Sequence, residues 1–239
     1  TLNVWRILVG PIYTGAGTLP FPTRPKKTIL PVNYEKKFTN KTYDAGNGEF
    51  AFEYKGADAT IKYVYRPDEG TLGGITVSVN GRTVARPLAE GGLKFSDSRL
   101  SEQNLGGLRL ASNSRTARLK PVSASLSKDG VLTAVFGSKK RTVQYRLQIW
   151  QKSLVIETSC MGGEASELTL GRAADLDGAP KLLKMPYLTM THPPAKDPSV
   201  LIVSKPGLKP VFMTVLLDWY NSNASELVPD SHLDKDKNG

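Results

Sequence analysis

Alternation with a period of two is the property of this 239-residue chain that most restricts how it can fold. Phe50, Phe52 and Tyr54 alternate with smaller or charged residues in EFAFEYKG, and Ile61, Tyr63 and Tyr65 do so in ATIKYVYRP. Ile75, Val77 and Val79 follow the same rule in GITVSVNG. In RTVQYRLQIW, Val143, Tyr145, Leu147 and Ile149 share one face, which leaves Thr142, Gln144, Arg146 and Gln148 on the other. Successive side chains of a strand point to opposite sides, so each run offers one apolar face and one polar face. GVLTAVFGS, SLVIETSC, ELTLGR, PKLLKM and SVLIVS are shorter runs with strand character. No stretch of a dozen residues keeps a helical period, and Asp-Gly, Gly-Gly and Asn-Gly turns recur between the runs. Asn80-Gly81 followed by RTVARP predicts a tight hairpin. Strands with one apolar face need a second layer to cover it. The expected fold is therefore all-β, a large antiparallel β-sandwich or supersandwich with an irregular N-terminal arm.

Residues 1–47 read as one short strand and a Pro/Gly-rich arm, and residues 48–239 as the β-supersandwich domain. RPLAEGGL interrupts the strands near residues 86–93, but one continuous domain is the simpler reading. With 39% hydrophobic and 23% charged residues the chain is ordinary globular material. No window approaches the ~18 apolar residues of a membrane-spanning helix. The first residue is Thr1, so the expectation is a piece of a longer or processed polypeptide, secreted or periplasmic if an export signal was removed.

The formal charge is +10, yet the basic residues are scattered in groups such as Lys26-Lys27, Lys36-Lys37 and Lys139-Lys140-Arg141. There is no Arg-rich helix, zinc-finger spacing or RRM-type aromatic signature. Nucleic acid is not the expected partner, and an anionic surface or acidic polysaccharide suits the surplus better. The single cysteine, Cys160, excludes an intrachain disulfide and is expected to be a small buried hydrophobe. The glycine cluster GTLGG precedes no helix, and neither a G-x-S-x-G elbow nor Cys/His ligand spacing is found. No cofactor and no metal are expected. DKDKNG at residues 234–239 matches the start of an EF-hand loop without its closing glutamate, and reads as a solvated turn. Asn40-Lys41-Thr42 and Asn223-Ala224-Ser225 are formal glycosylation sequons.

The candidate site lies in PVFMTVLLDWYNSNASELV, residues 210–228. Period two puts Val211, Met213, Val215, Leu217 and Trp219 on a core face, and Asp218 and Tyr220 side by side on the other. Asn221, Ser222, Asn223, Ser225 and Glu226 then add amides, hydroxyls and a carboxylate. Sugars present hydroxyls and patches of C–H, so their sites combine paired hydrogen-bonding groups with an aromatic platform. The bland alternative is a strand end closed by an Asx turn. In KMPYLTMTHPPAKDP a proline-stiffened loop carries Tyr187 and His192.

PYLTMTHPP, VFMTVLLDWYNSNASEL and the hairpin PDEGTLGGITVSVNGRTVARP together resemble the N-terminal β-supersandwich domain of multidomain glycoside hydrolases, a fold akin to galactose mutarotase. The resemblance covers most of the chain from about Gly48. It implies that Asp218, Trp219, Tyr220, Asn221, Ser222 and Asn223 border a catalytic (β/α)8 barrel, with Tyr187 and His192 on a neighbouring loop. Tyr187, His192, Asp218, Tyr220, Asn221, Asn223 and Glu226 are thus the expected carbohydrate-binding or inter-domain residues. The chain departs from the family pattern by stopping where the barrel should begin. The catalytic carboxylates are then expected outside these residues, and no catalytic residue is assigned within them. The expected partners are carbohydrate and a C-terminal catalytic domain of the same polypeptide. Two rivals stay open: an adhesive β-sandwich that assembles through its N-terminal arm or binds polyanions, and a free-standing mutarotase-like enzyme using His192 with Glu226 or Asp218.

Overall fold

The alternating runs become strands in the computed structural model, which describes residues 37–69, 71–95, 119–137, 142–161, 165–184, 199–207 and 209–215. These residues, Lys37 and Val215 aside, belong to one compact unit of the chain, 38–214 with 228–239. A single 3-10 turn at Pro67–Glu69 is the one helical element among them.

The first sheet holds β1 (Thr39–Gly46), β2 (Glu49–Lys55), β3 (Thr60–Tyr65), β4 (Ile75–Val79), β5 (Arg82–Ala89) and β12 (Arg172–Ala174). They lie antiparallel in the order β1-β2-β3-β4-β5-β12. The second sheet holds β7 (Lys120–Leu126), β8 (Leu132–Gly137), β9 (Thr142–Trp150) and β10 (Ser153–Met161), as an antiparallel meander. β6 (Gly92–Phe95) pairs with β11 (Ala165–Thr169). A further three-stranded sheet contains β13 (Ala179–Lys184), β14 (Ser199–Ser204) and β15 (Val211–Met213). β1 pairs with β2 from Thr39 to Gly46, with an irregularity between Asp44 and Gly46.

One core joins the two large sheets. Phe50, Phe52, Tyr65 and Ile75 from the first sheet pack with Leu132, Ala134, Phe136, Val143, Tyr145 and Leu147 from the second. Full burial of a large apolar side chain contributes roughly 1.5–3 kcal/mol. Phe136 and Tyr145 add an edge-to-face contact with ring centroids 5.7 Å apart. Cys160 faces Val143 and is packed, half-buried, against this core, as expected of a small hydrophobe.

Both ends of the sandwich are pinned by tyrosines. At one end Tyr65 donates to the carbonyl of Thr71, and Tyr145 shares a hydrogen bond with the Thr71 hydroxyl. The Thr71 hydroxyl donates to the Gly91 carbonyl at 2.7 Å, and the Leu93 amide donates to the Tyr145 oxygen at 3.0 Å. Two phenols from facing sheets thus meet at one threonine. At the other end Tyr63 donates to the Lys152 carbonyl at 2.7 Å, while Lys152 forms an ion pair with Asp58.

β15 stops at Met213, short of the run that the alternation suggests. Phe212 is 60% exposed, in keeping with its non-core face, but Val215, expected on the core face, is 45% exposed and outside the strand. The three-residue β15 pairs only with Leu201, Ile202 and Val203 of β14 among the described residues, so the ladder ends before Val215 can be covered.

Candidate functional site: the outer face of the six-stranded sheet

The polar halves of the alternating runs gather on the face of the first sheet that points away from the core. Register fixes which of them are neighbours. Lys41, Glu53, Lys62, Ser78 and Thr83 form one row across β1 to β5. Tyr43, Ala51, Val64 and Thr76 form the next. A bulge between Val77 and Ser78 shifts the β4–β5 register, so that Thr83 joins the outer face while Val84 and Ala85 are both buried.

The β2 to β5 side of this face lines a concavity of about 350 Å³, bounded by Glu49, Glu53, Thr60, Lys62, Val64, Arg66, Thr76, Ser78, Gly81 and Thr83. Ala51 is fully buried although it faces outward, between Tyr43 and Val64 in its row. The Lys62 ammonium lies 5.8 Å from the centre of the Tyr43 ring, and Lys41 lies 5.0 Å from it. Lys62 stands on β3 and Tyr43 on β1, so the lysine stem must cross β2, which the short side chain of Ala51 permits.

At the other end of the groove Arg66 is held by two carboxylates. Its Nε donates to Glu49 at 2.7 Å and its Nη1 to Glu69 at 2.9 Å. Ser78 and Thr83 share a hydrogen bond of 3.2 Å. Ligand pockets are usually mostly apolar with a few convergent polar groups. This one is lined by hydroxyls and charged groups, which suits a ligand that is itself rich in hydroxyls. Glu49 and Glu53 start ~13 Å apart along β2, and Glu49 is committed to Arg66. A glycosidase sets its carboxyl pair ~5–9.5 Å apart, closer than the points on β2 from which these two side chains start.

A second polar cluster sits at the β2–β3 turn. Tyr54 donates to Asp58 at 3.1 Å, and the Lys152 ammonium lies 5.6 Å from the Tyr54 ring centre. Lys152 hydrogen-bonded to Asp58 holds that carboxyl below its usual range, despite the opposing effect of burial. Burial, with the neighbouring carboxylate second, pushes the Tyr54 phenol up. The phenol, the carboxylate and the ammonium thus form one hydrogen-bonded cluster.

The residues expected from the sequence, Tyr187, His192, Asp218, Tyr220, Asn221, Asn223 and Glu226, lie outside the described residues, as does the DKDKNG end. The groove was not expected. Its signal was present in the polar positions of EFAFEYKG, ATIKYVYRP and GITVSVNG, but alternation alone reads these as a solvated side. Asn40 of the first sequon is exposed on β1.

Fold and face together define an all-β protein: two antiparallel sheets over a shared core, with a polar concave surface on the larger. Comparison with protein-family models, with curated proteins and with solved structures finds no match.

Proposed function

We propose that this chain is a non-catalytic, carbohydrate-associated β-sandwich module of a glycoside hydrolase, bordering a glycan site. The observation that carries the reading is the groove over β2 to β5, where four hydroxyl side chains, Thr60, Thr76, Ser78 and Thr83, stand among Glu53, Lys62 and Arg66. Donors and acceptors alternate there at the spacing of a pleated sheet, which suits the hydroxyls around a sugar ring. The sequence around Asp218 to Glu226 supports the same class from a separate part of the chain.

Affinity electrophoresis against a panel of soluble polysaccharides tests the reading. At least one polysaccharide is expected to retard the protein, and Ser78→Trp, which places a large ring over the groove floor, is expected to restore free migration without loss of folding. Migration unaffected by every polysaccharide, or retardation of the variant equal to that of the parent, would remove the basis for the proposal.

The rival reading, assembly by strand addition, has less behind it at the edge of the second sheet. β7 is exposed along nearly all its length, with Val122 at 67%, but it carries Lys120, Pro121 and a bulge between Pro121 and Ser123. Those features blunt an edge strand against pairing.

A further inference from the structure

The charges on the groove and on β1 beside it are unevenly matched. Arg66 is closed by Glu49 and Glu69, and Lys152 elsewhere is paired with Asp58. Lys41 and Lys62 differ. Glu53 stands directly across from both in the register, yet the ammonium groups lean onto the Tyr43 ring at 5.0 and 5.8 Å. The face of an aromatic ring attracts a cation but carries no net charge. Two like charges therefore gather at one ring without a full counter-charge. Lys55 lies on the same outer face at the end of β2, opposite Thr39 and Thr60, and Glu53 is the one carboxylate among these positions.

Among the described residues Glu53 is the one carboxylate set against the two lysines beside this end of the groove, so there is room for an anion, and hydroxyl groups are what the groove lining is fitted to receive. Resting on the glycan reading above, we propose that the ligand is an acidic polysaccharide. Lys41 and Lys62 hold its carboxylate or sulfate beside Tyr43, and the hydroxyl-lined floor holds the adjoining sugar ring. The chain's formal charge of +10 would concentrate such a polymer near the surface. Glu49 and Glu53 on the same face count against nucleic acid, whose backbone brings a negative charge at every residue.

Isothermal titration of the full chain with polygalacturonate and alginate, with dextran sulfate, with neutral galactan and with duplex DNA tests the proposal and separates carboxylate from sulfate recognition. At least one acidic polysaccharide is expected to bind more tightly than galactan, with affinity falling as salt is raised. The double variant Lys41→Gln, Lys62→Gln is expected to lose at least roughly tenfold in affinity. Lys181→Gln with Lys209→Gln removes the same charge from the three-stranded sheet and its hairpin, and is expected to change affinity by less than about twofold. Thermal melts of both double variants check that the fold is kept. Equal binding of galactan and the acidic polymers would overturn the proposal and leave the glycan reading standing. Equal loss in the two double variants would also overturn it, because bulk charge would then explain the binding. Tighter binding of DNA than of every polysaccharide, or no binding at all, would overturn both.

Discussion

Thr71 shows how much of the sandwich depends on single polar atoms. Its carbonyl accepts from Tyr65 on one sheet, and its hydroxyl is hydrogen-bonded to Tyr145 on the other. Tyr145 has no exposed surface, and its oxygen also takes the Leu93 amide proton at 3.0 Å. Tyr145→Phe keeps the ring and its packing but leaves a buried amide without a partner. A loss of about 1–3 kcal/mol is expected in urea unfolding. Gly92 next door has φ of 143°, and a Cβ there would overlap the Thr71 hydroxyl. Asp58 offers a milder case, because its side chain and that of Lys152 are 56% and 49% exposed. Its lowered pKa means the folded state prefers the carboxylate, so the stabilisation is present above about pH 4 and is lost as pH falls through the folded value. Asp58→Asn is expected to cost less than about 1 kcal/mol at neutral pH, since solvent screens exposed pairs. The gap between variant and parent should close in acid, and a gap of constant size across the acid range would show that the ion pair contributes nothing.

Hairpins are the elements in which local chemistry and the fold agree most closely. Asn80 and Gly81 take φ of 51° and 81°, as a tight two-residue turn between β4 and β5 requires, and the Asn80 side chain accepts from the Thr60 amide at 2.9 Å. A Cβ at Gly81 would meet nothing within 4 Å, so Gly81→Ala isolates the backbone cost. About 1–2 kcal/mol is expected from unfolding curves. This hairpin, and the apolar faces of β2, β3, β4 and β9, were legible because period two and turn dipeptides are local properties. Pairing was not. The bulge that brings Thr83 beside Ser78, and the return of β12 to the edge of β5, depend on contacts between residues distant in sequence. The groove was illegible for the same reason: Lys41, Glu53 and Lys62 are neighbours only once three strands are in register. β15 illustrates the converse. Its apolar run continues past Met213, but a run is a strand only as far as β14 supplies a ladder.

Across the whole molecule, tyrosine is the residue that ties the two sheets together, and this gives the fold a characteristic weakness in alkali. Tyr54, Tyr63, Tyr65 and Tyr145 all have their phenol pKa raised, with burial the leading cause in each. They sit at both ends of the sandwich, where Tyr54, Tyr63 and Tyr65 donate to Asp58, the Lys152 carbonyl and the Thr71 carbonyl, and Tyr145 is hydrogen-bonded to the Thr71 hydroxyl. A phenolate cannot donate and is poorly solvated in the core. In the unfolded chain the same groups ionise near pH 10. Below that value both states hold the protons and the contribution to stability is complete. Above it only the unfolded state releases them, so stability falls as pH rises towards the folded values. The melting temperature is therefore expected to drop steeply between about pH 9 and about pH 11. Of the chain's nine tyrosines, these four should develop tyrosinate absorbance only together with the loss of sheet structure by circular dichroism. Smooth ionisation of every tyrosine while the sheets stay intact would show that the phenols do not hold the two layers.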